Sequence, residues 1–528
     1  MSVKRLAIVG CGSSGLITLK WAVERLPDWE VVCFEKSNSI VGCWGNPPPG
    51  FVSTSTKYTT QFASYQRFDP LVVADGGKSR SEFFRDSEYG DYLEAFADHF
   101  GLRKHIRLNT QVDRIRKDDA GWVLTISGRP DAFGALVICT GLAAKSKKID
   151  CKIAQPSVKE LNSPAGLDHI TRQKIVVVGG GESAADYANR LAKPALNNEV
   201  LLSLRSGVRV SPRYHPVRGV PSDFLRNRLM LSVDADLRNV LGQIFVKARI
   251  KYECQFRSLF PGGIKNESES DAEYQRRKDW ALRLTMAAKD ELFNMFHNKS
   301  DDFLDAVGQE RIRIVGPPID NRWDRFAEFS DEGNAIIDFD PDLIVPAIGY
   351  ESTVELLTNG KIGLADFYLG CCHVKYDNLF LVGFARPIIG NIPSISEMQA
   401  RYVCGLIAGE YGPPANIEMA HEKDRKFREQ RYPTVDQNVV YPVEMFPYCD
   451  RLAQCCGLSI GQRFAKSPAG WWRTKVTPAT TLHYFGDRSE LTPTYMPTSL
   501  VIIILLMKPI DWLLKIWKHV TGMAEPSL

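Results

Sequence analysis

The chain opens on a short apolar run, Arg5 to Val9, which predicts a buried strand. Gly10-Cys11-Gly12-Ser13-Ser14-Gly15 follows, then a helical stretch through Leu26 and a second strand from Glu30 to Phe34. The same order returns later. Ile175 to Val178 precedes Gly179-Gly180-Gly181-Glu182-Ser183-Ala184, a helical stretch and the strand Glu199 to Leu204. Strand, glycine turn, helix and strand form a dinucleotide-binding unit, so its repetition predicts an α/β fold of two nested Rossmann-like domains. Lys4-Arg5 ahead of the apolar run imitates the start of a signal peptide, but glycines 10, 12 and 15 interrupt it where a dinucleotide turn needs them.

Each glycine has a physical task. Gly10 makes the tight turn, Gly12 lets the backbone approach a pyrophosphate, and Gly15 permits close packing of helix on strand. The helix N-terminus, with Ser13 and Ser14, offers a positive dipole to the phosphates. In the second turn Ala184 stands for the third glycine, with Gly179, Gly181, Glu182 and Ser183 before it. Glu35 lies 25 positions after Gly10, whereas Arg205 lies 26 after Gly179. An acid there bonds ribose hydroxyls and an arginine accommodates a 2′-phosphate, so the first unit suits FAD and the second NADPH. The plainer alternative for Arg205 is a side chain that only faces solvent.

Composition narrows the field. Lys+Arg 66 against Asp+Glu 62 is near balance, and the densest basic cluster, Arg276-Arg277-Lys278, is bracketed by Glu273 and Asp279. It reads as a solvated helix face, with no sign of nucleic-acid binding. Twelve cysteines are spread thinly and include no CxxC, which argues against a zinc site and predicts free thiols in a cytosolic type of redox environment. Cys371-Cys372 and Cys455-Cys456 are adjacent pairs that bridge only with strain, and His373 reads as a loop or core histidine. Asn266 and Asn298 begin glycosylation-type triplets of little weight in the cytosol. No metal site is expected.

Several segments resemble the flavin-containing monooxygenases, the class B flavoprotein monooxygenases of animal-type length. Glu35-Lys36-Ser37 leading to Gly42-Cys43-Trp44 is similar to that family's glutamate and Gly-x-Trp segment. Tyr92 to Phe100 resembles the helix before the flavin-contacting strand, around Thr110 and Val112. Ile138-Cys139-Thr140-Gly141 and Pro346 to Tyr350 resemble the two strand-ends where the chain crosses between domains. Asn378 to Gly383, followed by Glu397-Met398-Gln399-Ala400-Arg401, is similar to the closing flavin segment, and Asp186 and Ala188 fit after the second turn. The chain departs from the family twice. Thr54-Ser55-Thr56-Lys57 carries threonine where an asparagine would stand, and Leu161 to His169 lacks the FxGxxxH fingerprint.

The resemblance implies an NADPH- and O₂-dependent enzyme that forms a C4a-(hydro)peroxyflavin and oxygenates a soft nucleophile, amine nitrogen or sulfide sulfur, on a small molecule. Thr54 and Ser55 are the candidate polar contacts at the flavin edge; their alternative is to satisfy local loop backbone. Baeyer–Villiger oxygenation, halogenation, or a membrane-bound NADPH oxidase or reductase without oxygen transfer fit the same motifs.

The expected domains are 1–150 with 330–445 for FAD, 165–215 with 300–330 for NADPH, a helical insertion over 216–299 and an extension over 446–497. Asp290-Glu291-Leu292 closes the insertion, which either roofs the substrate entrance or forms an inert helix pair. In the tail, 498–528, Leu500 to Met507 is apolar but too short to span a bilayer, and Lys508-Pro509 predicts a break. Ile510, Leu513, Leu514 and Trp517 then fall at helical spacing opposite Asp511, Lys515 and Lys518, with Trp512 as a second interfacial aromatic. This pattern predicts an anchor lying in the membrane interface, at the endoplasmic reticulum in a eukaryote, or else a helix docked on the body. Nothing in the sequence decides for or against a homo-oligomer.

Overall fold

The computed structural model describes residues 4–521 and 523, without 46, 49, 70–81, 120, 144, 157, 163–166, 168, 212, 215–220, 253–267, 289–297, 301, 331–334, 459–466, 486–490 and 492–497. Asp290, Glu291 and Leu292 lie outside the described residues, as does Asn266.

The two apolar runs become the central strands of two sheets. β1 (Arg5–Val9) leads through α1 (Ser13–Arg25) to β2 (Glu30–Phe34), and β1 lies parallel between β2 and β3 (Ala135–Ile138). Leu6, Ala7 and Ile8 are fully buried, which is why this strand is continuously apolar rather than alternating. The seven-stranded sheet continues through Ile106–Arg107 on one side and Leu379–Leu381, Cys372–His373 and Phe367–Tyr368 on the other. His373 proves to be a core histidine. Its Nδ1 accepts from the Lys375 and Tyr376 amides at 3.0 and 3.1 Å, and burial lowers its pKa to about 4. The cysteines described are all free thiols.

The second sheet repeats the plan. β4 (Lys174–Val178) leads through α2 (Glu182–Leu191) to β5 (Glu199–Ser203), and β4 lies parallel between β5 and β6 (Leu343–Pro346). Even the register matches: Arg5 pairs Glu30 and Val9 pairs Phe34, as Lys174 pairs Glu199 and Val178 pairs Ser203. Beyond β5 come Ile312–Ile319, Arg322–Glu328 and Ile336–Asp338. The chain therefore stays in the second sheet until Pro346, and the boundary expected at 330 moves. Pairing on β4 buries Ile344 and Val345 completely, which holds β6 in the second unit.

The insertion is helical over Ala235–Tyr252 and Asp271–Met286. Thr498–Val520 is one continuous helix with Pro509 inside it, so the expected break is absent. Proline removes a main-chain donor from a helix, but contacts from the body brace this turn. Lys508 Nζ donates to Ser232 Oγ at 2.9 Å, and Asp511 Oδ1 accepts from the Asp234 amide at 2.6 Å. Lys518 Nζ reaches Asp234 and Asp236 at 2.7 and 2.6 Å. The charged stripe thus faces the body, with Asp511 only 2% exposed, and Ile502, Leu505, Leu506, Ile510, Leu513 and Trp517 face outward. No helix among the described residues is long and apolar enough to cross a membrane.

Candidate active-site cleft

The turn after β1 is dictated by sterics. Gly10 has φ +98°, and a Cβ there would meet the Cys139 carbonyl oxygen at 2.7 Å. A Cβ on Gly15 would lie 1.9 Å from the Gly10 carbonyl oxygen, so α1 can approach β1 only through glycine. Gly12 is different: the nearest atom to its missing Cβ is the Gly42 Cα at 3.7 Å. It leaves space for a ligand rather than for a neighbour.

α1 starts at Gly12 and α2 at Gly181, and neither has a side-chain cap. Ile392–Ala408 and Ile417–Arg431, by contrast, are capped by Asn391 and Asn416. The first-turn N–H groups of α1 and α2 therefore remain available to phosphate oxygens. Beside the first turn is a cavity of about 330 Å³ lined by Gly10, Glu35, Lys36, Thr110, Val112 and Thr140 among others. Its volume lies in the range of small-ligand pockets. Glu35 is fixed at its edge, Oε2 accepting from the Cys11 amide at 2.8 Å and Oε1 from the Ser37 amide at 2.9 Å. Val112 is buried, and its strand begins where the Thr110 amide donates to the Glu35 carbonyl. These residues fit a dinucleotide: uncapped donors for the phosphates, an acid for the ribose, and a cradle kept open by glycine.

Nearby, Gly42 has φ +59° and brings Gly42-Cys43-Trp44 against Gly12; Trp44 packs edge-on to Tyr89 at 4.9 Å. Gly141 has φ +74° and accepts from Thr353 Oγ1 at 3.2 Å. Gly383 has φ +93°, and a Cβ there would meet Ser14 Oγ at 2.3 Å.

The second turn copies the first. Gly179 has φ +132°, and a Cβ would meet the Ala347 carbonyl oxygen at 2.3 Å; nothing lies within 4 Å of a Cβ on Gly181. Ala184 is buried, Ser183 is half-buried, and Arg205 is exposed beyond the end of β5. Glu182 occupies the first helical position of α2.

Two of the expected ligand contacts have partners within the protein. Gln399 is fully buried, its Oε1 accepting from the Gly383 amide at 2.9 Å and its Nε2 donating to Tyr448 Oη at 2.8 Å. It shapes the Gly383 turn from behind. Asp186 sits on the exposed face of α2, paired with Arg190 at 3.0 Å. Its position two residues after Ala184 turns it along the helix, away from the glycine turn.

Sequence reasoning missed the residues that join the units. Asn298, read only as a glycosylation-type triplet, is buried and its Nδ2 donates to the Gly180 carbonyl at 3.0 Å. Its neighbour Lys299 donates to the Thr54 carbonyl at 2.5 Å. Thr54 and Ser55 lie half-buried in the strand Val52–Thr56, and no protein acceptor or donor engages their hydroxyls among the described residues. Thr56, next in line, is committed to Asp223. No sequence pattern announces Asn298, Lys299 or Asp223, because each matters only through a distant partner.

Residues 3–260 match the family described as flavin-binding monooxygenase-like. That match covers just under half of the chain. Among curated relatives, it is 24% identical to a 4-hydroxybenzoate brominase (decarboxylating) of Pseudoalteromonas luteoviolacea, over 86% of this chain and 84% of the brominase. It is 25% identical to flavin-containing monooxygenase 5 of Rattus norvegicus, over 82% of this chain and 79% of the relative. Among solved structures, an oxidised steroid monooxygenase bound to NADP superposes with a TM-score of 0.57 at 17% identity, covering 86% of this chain and 98% of that one. This flavin-binding monooxygenase-like chain therefore shares its α/β architecture with enzymes of diverse oxidative outcome.

Proposed function

We propose that this flavin-binding monooxygenase-like protein uses FAD, NADPH and O₂ to oxygenate a soft nucleophile, an amine nitrogen or sulfide sulfur, on a small molecule. The observation that carries the reading is the pair Asn298 and Lys299. One donates to the Gly180 carbonyl of the second turn and the next to the Thr54 carbonyl, so the second turn is tied to the strand that carries Thr54.

FAD belongs with the first sheet and NADPH with the second. Bound FAD, once reduced by NADPH, supplies the activation of O₂. The chain's own residues bind and orient. The amides of Ser13, Ser14 and Gly15 face the FAD phosphates, Glu35 the ribose, and the Gly42-Cys43-Trp44 segment, Lys36, Val112, Gly141 and Gly383 enclose the nucleotide. Gly179, Gly181, Glu182, Ser183 and Ala184 form the NADPH turn, and Arg205 meets the 2′-phosphate. Thr54 and Ser55 would offer hydroxyls to the flavin edge.

Turnover under ¹⁸O₂ with a tertiary amine and a thioether is expected to place ¹⁸O in the product, with NADPH preferred over NADH. Arg205→Ala is expected to raise KM for NADPH by about tenfold and leave KM for NADH unchanged. NADPH oxidation with every ¹⁸O recovered in peroxide or water would overturn the reading in favour of an oxidase. A second reading, halogenation or Baeyer–Villiger insertion, draws support from Thr54 standing where the family's asparagine would be, and from the brominase similarity. Bromide-dependent product, or a lactone from a cyclic ketone, would select it.

We also propose that the outward face of the C-terminal helix rests on a membrane, that of the endoplasmic reticulum in a eukaryotic cell. A helix that spends its charges on the body and turns leucine, isoleucine and tryptophan outward suits an interfacial position. The holoprotein is expected to sediment with phosphatidylcholine vesicles and the variant Leu506→Glu/Leu513→Glu to stay in the supernatant. Equal sedimentation of the two would remove the proposal.

A further inference from the structure

A short helix, Pro468–Val476, stands beside the C-terminal tail. Ser467 caps it, its Oγ accepting from the Gly470 amide at 3.1 Å, and Pro468 takes the first helical position. The last turn is set into the body, with Thr474 and Val476 buried. Val476 shares one apolar cluster with Leu229, Val233 and Ile504, and Ile504 is a buried residue of the tail's apolar run. The short helix and the tail therefore meet around Val476 and Ile504.

The rest of the short helix is uncovered. Trp471 is 48% exposed and Trp472 40%, although the fold buries Trp122 completely. Two cations flank these indoles. Arg473 and Lys475 form no ion pair among the described residues, and Lys475 Nζ lies 5.7 Å from the centre of the Trp471 ring. Burial, and then the charges of Arg228 and Lys508, lower the Lys475 pKa. Asp450, the acid facing it, is already held by Arg228 at 2.6 and 2.8 Å. Positive charge is thus left over at this end of the molecule.

The tail's own cations are placed differently. Lys508 and Lys515 pair with Asp511 at 3.1 and 3.0 Å, and Lys518 pairs with Asp234 and Asp236 at 2.7 and 2.6 Å. A helix that lies on a bilayer carries Lys and Arg for the headgroups. This tail turns its own toward the body, and the unpaired cations belong to its neighbour.

We infer that the helix Pro468–Val476 is a second membrane contact beside the tail, with Trp471 and Trp472 at headgroup level and Arg473 and Lys475 against anionic lipid. The inference rests on the tail reading above and supplies what that helix lacks. Tryptophan suits the boundary because its ring is apolar and its N–H finds a partner in the wet headgroup layer. Each unpaired cation near an anionic surface adds about fivefold in affinity.

The test is sedimentation of the full-length, flavin-loaded protein with vesicles of phosphatidylcholine alone and of phosphatidylcholine mixed equally with phosphatidylserine. The wild type is compared with Trp471→Ala/Trp472→Ala, Arg473→Gln/Lys475→Gln and Leu506→Glu/Leu513→Glu. Flavin content and a thermal melt verify that each variant is folded. The tryptophan variant is expected to bind both vesicle types at least about tenfold more weakly. The charge variant is expected to match the wild type on phosphatidylcholine and to lose about fivefold per charge on the anionic vesicles, a gap that high salt closes. As a second measure, brominated phosphatidylcholine is expected to quench less fluorescence in Trp471→Phe/Trp472→Phe than in the wild type. If the tryptophan and charge variants sediment as the wild type does while Leu506→Glu/Leu513→Glu is released, this inference is wrong and the tail reading stands. If the wild type itself stays in the supernatant with both vesicle types, the two fall together. A self-association that Trp471→Ala/Trp472→Ala abolishes, with vesicle binding unchanged, would assign the indoles to a second copy of the chain and overturn the inference.

Discussion

Gly12→Ala is expected to leave the chain folded and to lower its affinity for FAD by roughly 5- to 150-fold, the equivalent of about 1–3 kcal/mol. Gly12 lies at φ −76°, a conformation open to any residue, and its new Cβ would find only the Gly42 Cα, at 3.7 Å. The methyl group therefore costs the fold little and occupies the space that a pyrophosphate needs. Gly15→Ala provides the contrast. Its Cβ would sit 1.9 Å from the Gly10 carbonyl oxygen, a main-chain atom that cannot step aside. That variant is expected to lose both flavin and thermal stability. Flavin content after gel filtration, together with a thermal melt, separates the two. If Gly12→Ala melts as early as Gly15→Ala, the space beside Gly12 belongs to packing and not to a ligand.

The second large effect lies away from the cleft. Asp424, on the helix Ile417–Arg431, is fully buried. Its Oδ2 accepts from Arg428 Nε at 2.9 Å and from the Tyr441 hydroxyl, and its Oδ1 accepts from Arg451 Nη1 at 2.6 Å. One carboxylate thus ties this helix to the helix Met445–Cys455 and balances two guanidiniums. Asp424→Ala strands both charges and is expected to cost about 3–5 kcal/mol. Asp424→Asn keeps the shape and part of the hydrogen bonding but loses the charge. Burial by itself would raise the Asp424 pKa, but Arg451 and Arg428 overcome it and hold the carboxyl below its usual range. A depressed carboxyl stabilises the fold above its unfolded pKa of about 3.9, and that share is lost as pH falls through the folded value. Urea unfolding below pH 4 should therefore show a loss in the wild type that Asp424→Asn lacks. A parallel pH dependence in the two proteins would mean that the network adds nothing through charge.

Much of the candidate site was legible because its requirements are local. Gly10, Gly15 and Gly179 answer to atoms of their own turn or of the adjoining strand-end, and Glu35 closes the strand that follows the first turn. Local reasoning reaches less far where a residue's surroundings depend on what packs against it. Gln399 resembles a ligand contact in the chain but spends both ends of its amide inside the core. Asp186 follows the second turn closely, yet its place on α2 pairs it with Arg190. The tail shows the same limit. Its two-faced pattern was plain, but which face meets the body was settled by Asp511, whose side chain caps the chain at Asp234.

The sequence by itself determined two strand–turn–helix–strand units, the difference between an acid and an arginine after their second strands, and the amphipathic tail. These are nearest-neighbour properties: steric permission at glycine, the continuous apolarity of a doubly covered strand, and the spacing of side chains on a helix. Only the tertiary structure decided that Asn298 and Lys299 tie the second turn to the strand of Thr54, and that the chain stays in the second sheet until Pro346. Those facts join residues many positions apart. Their energies arise from burial and electrostatics created when distant segments pack, so no local stretch of sequence contains them.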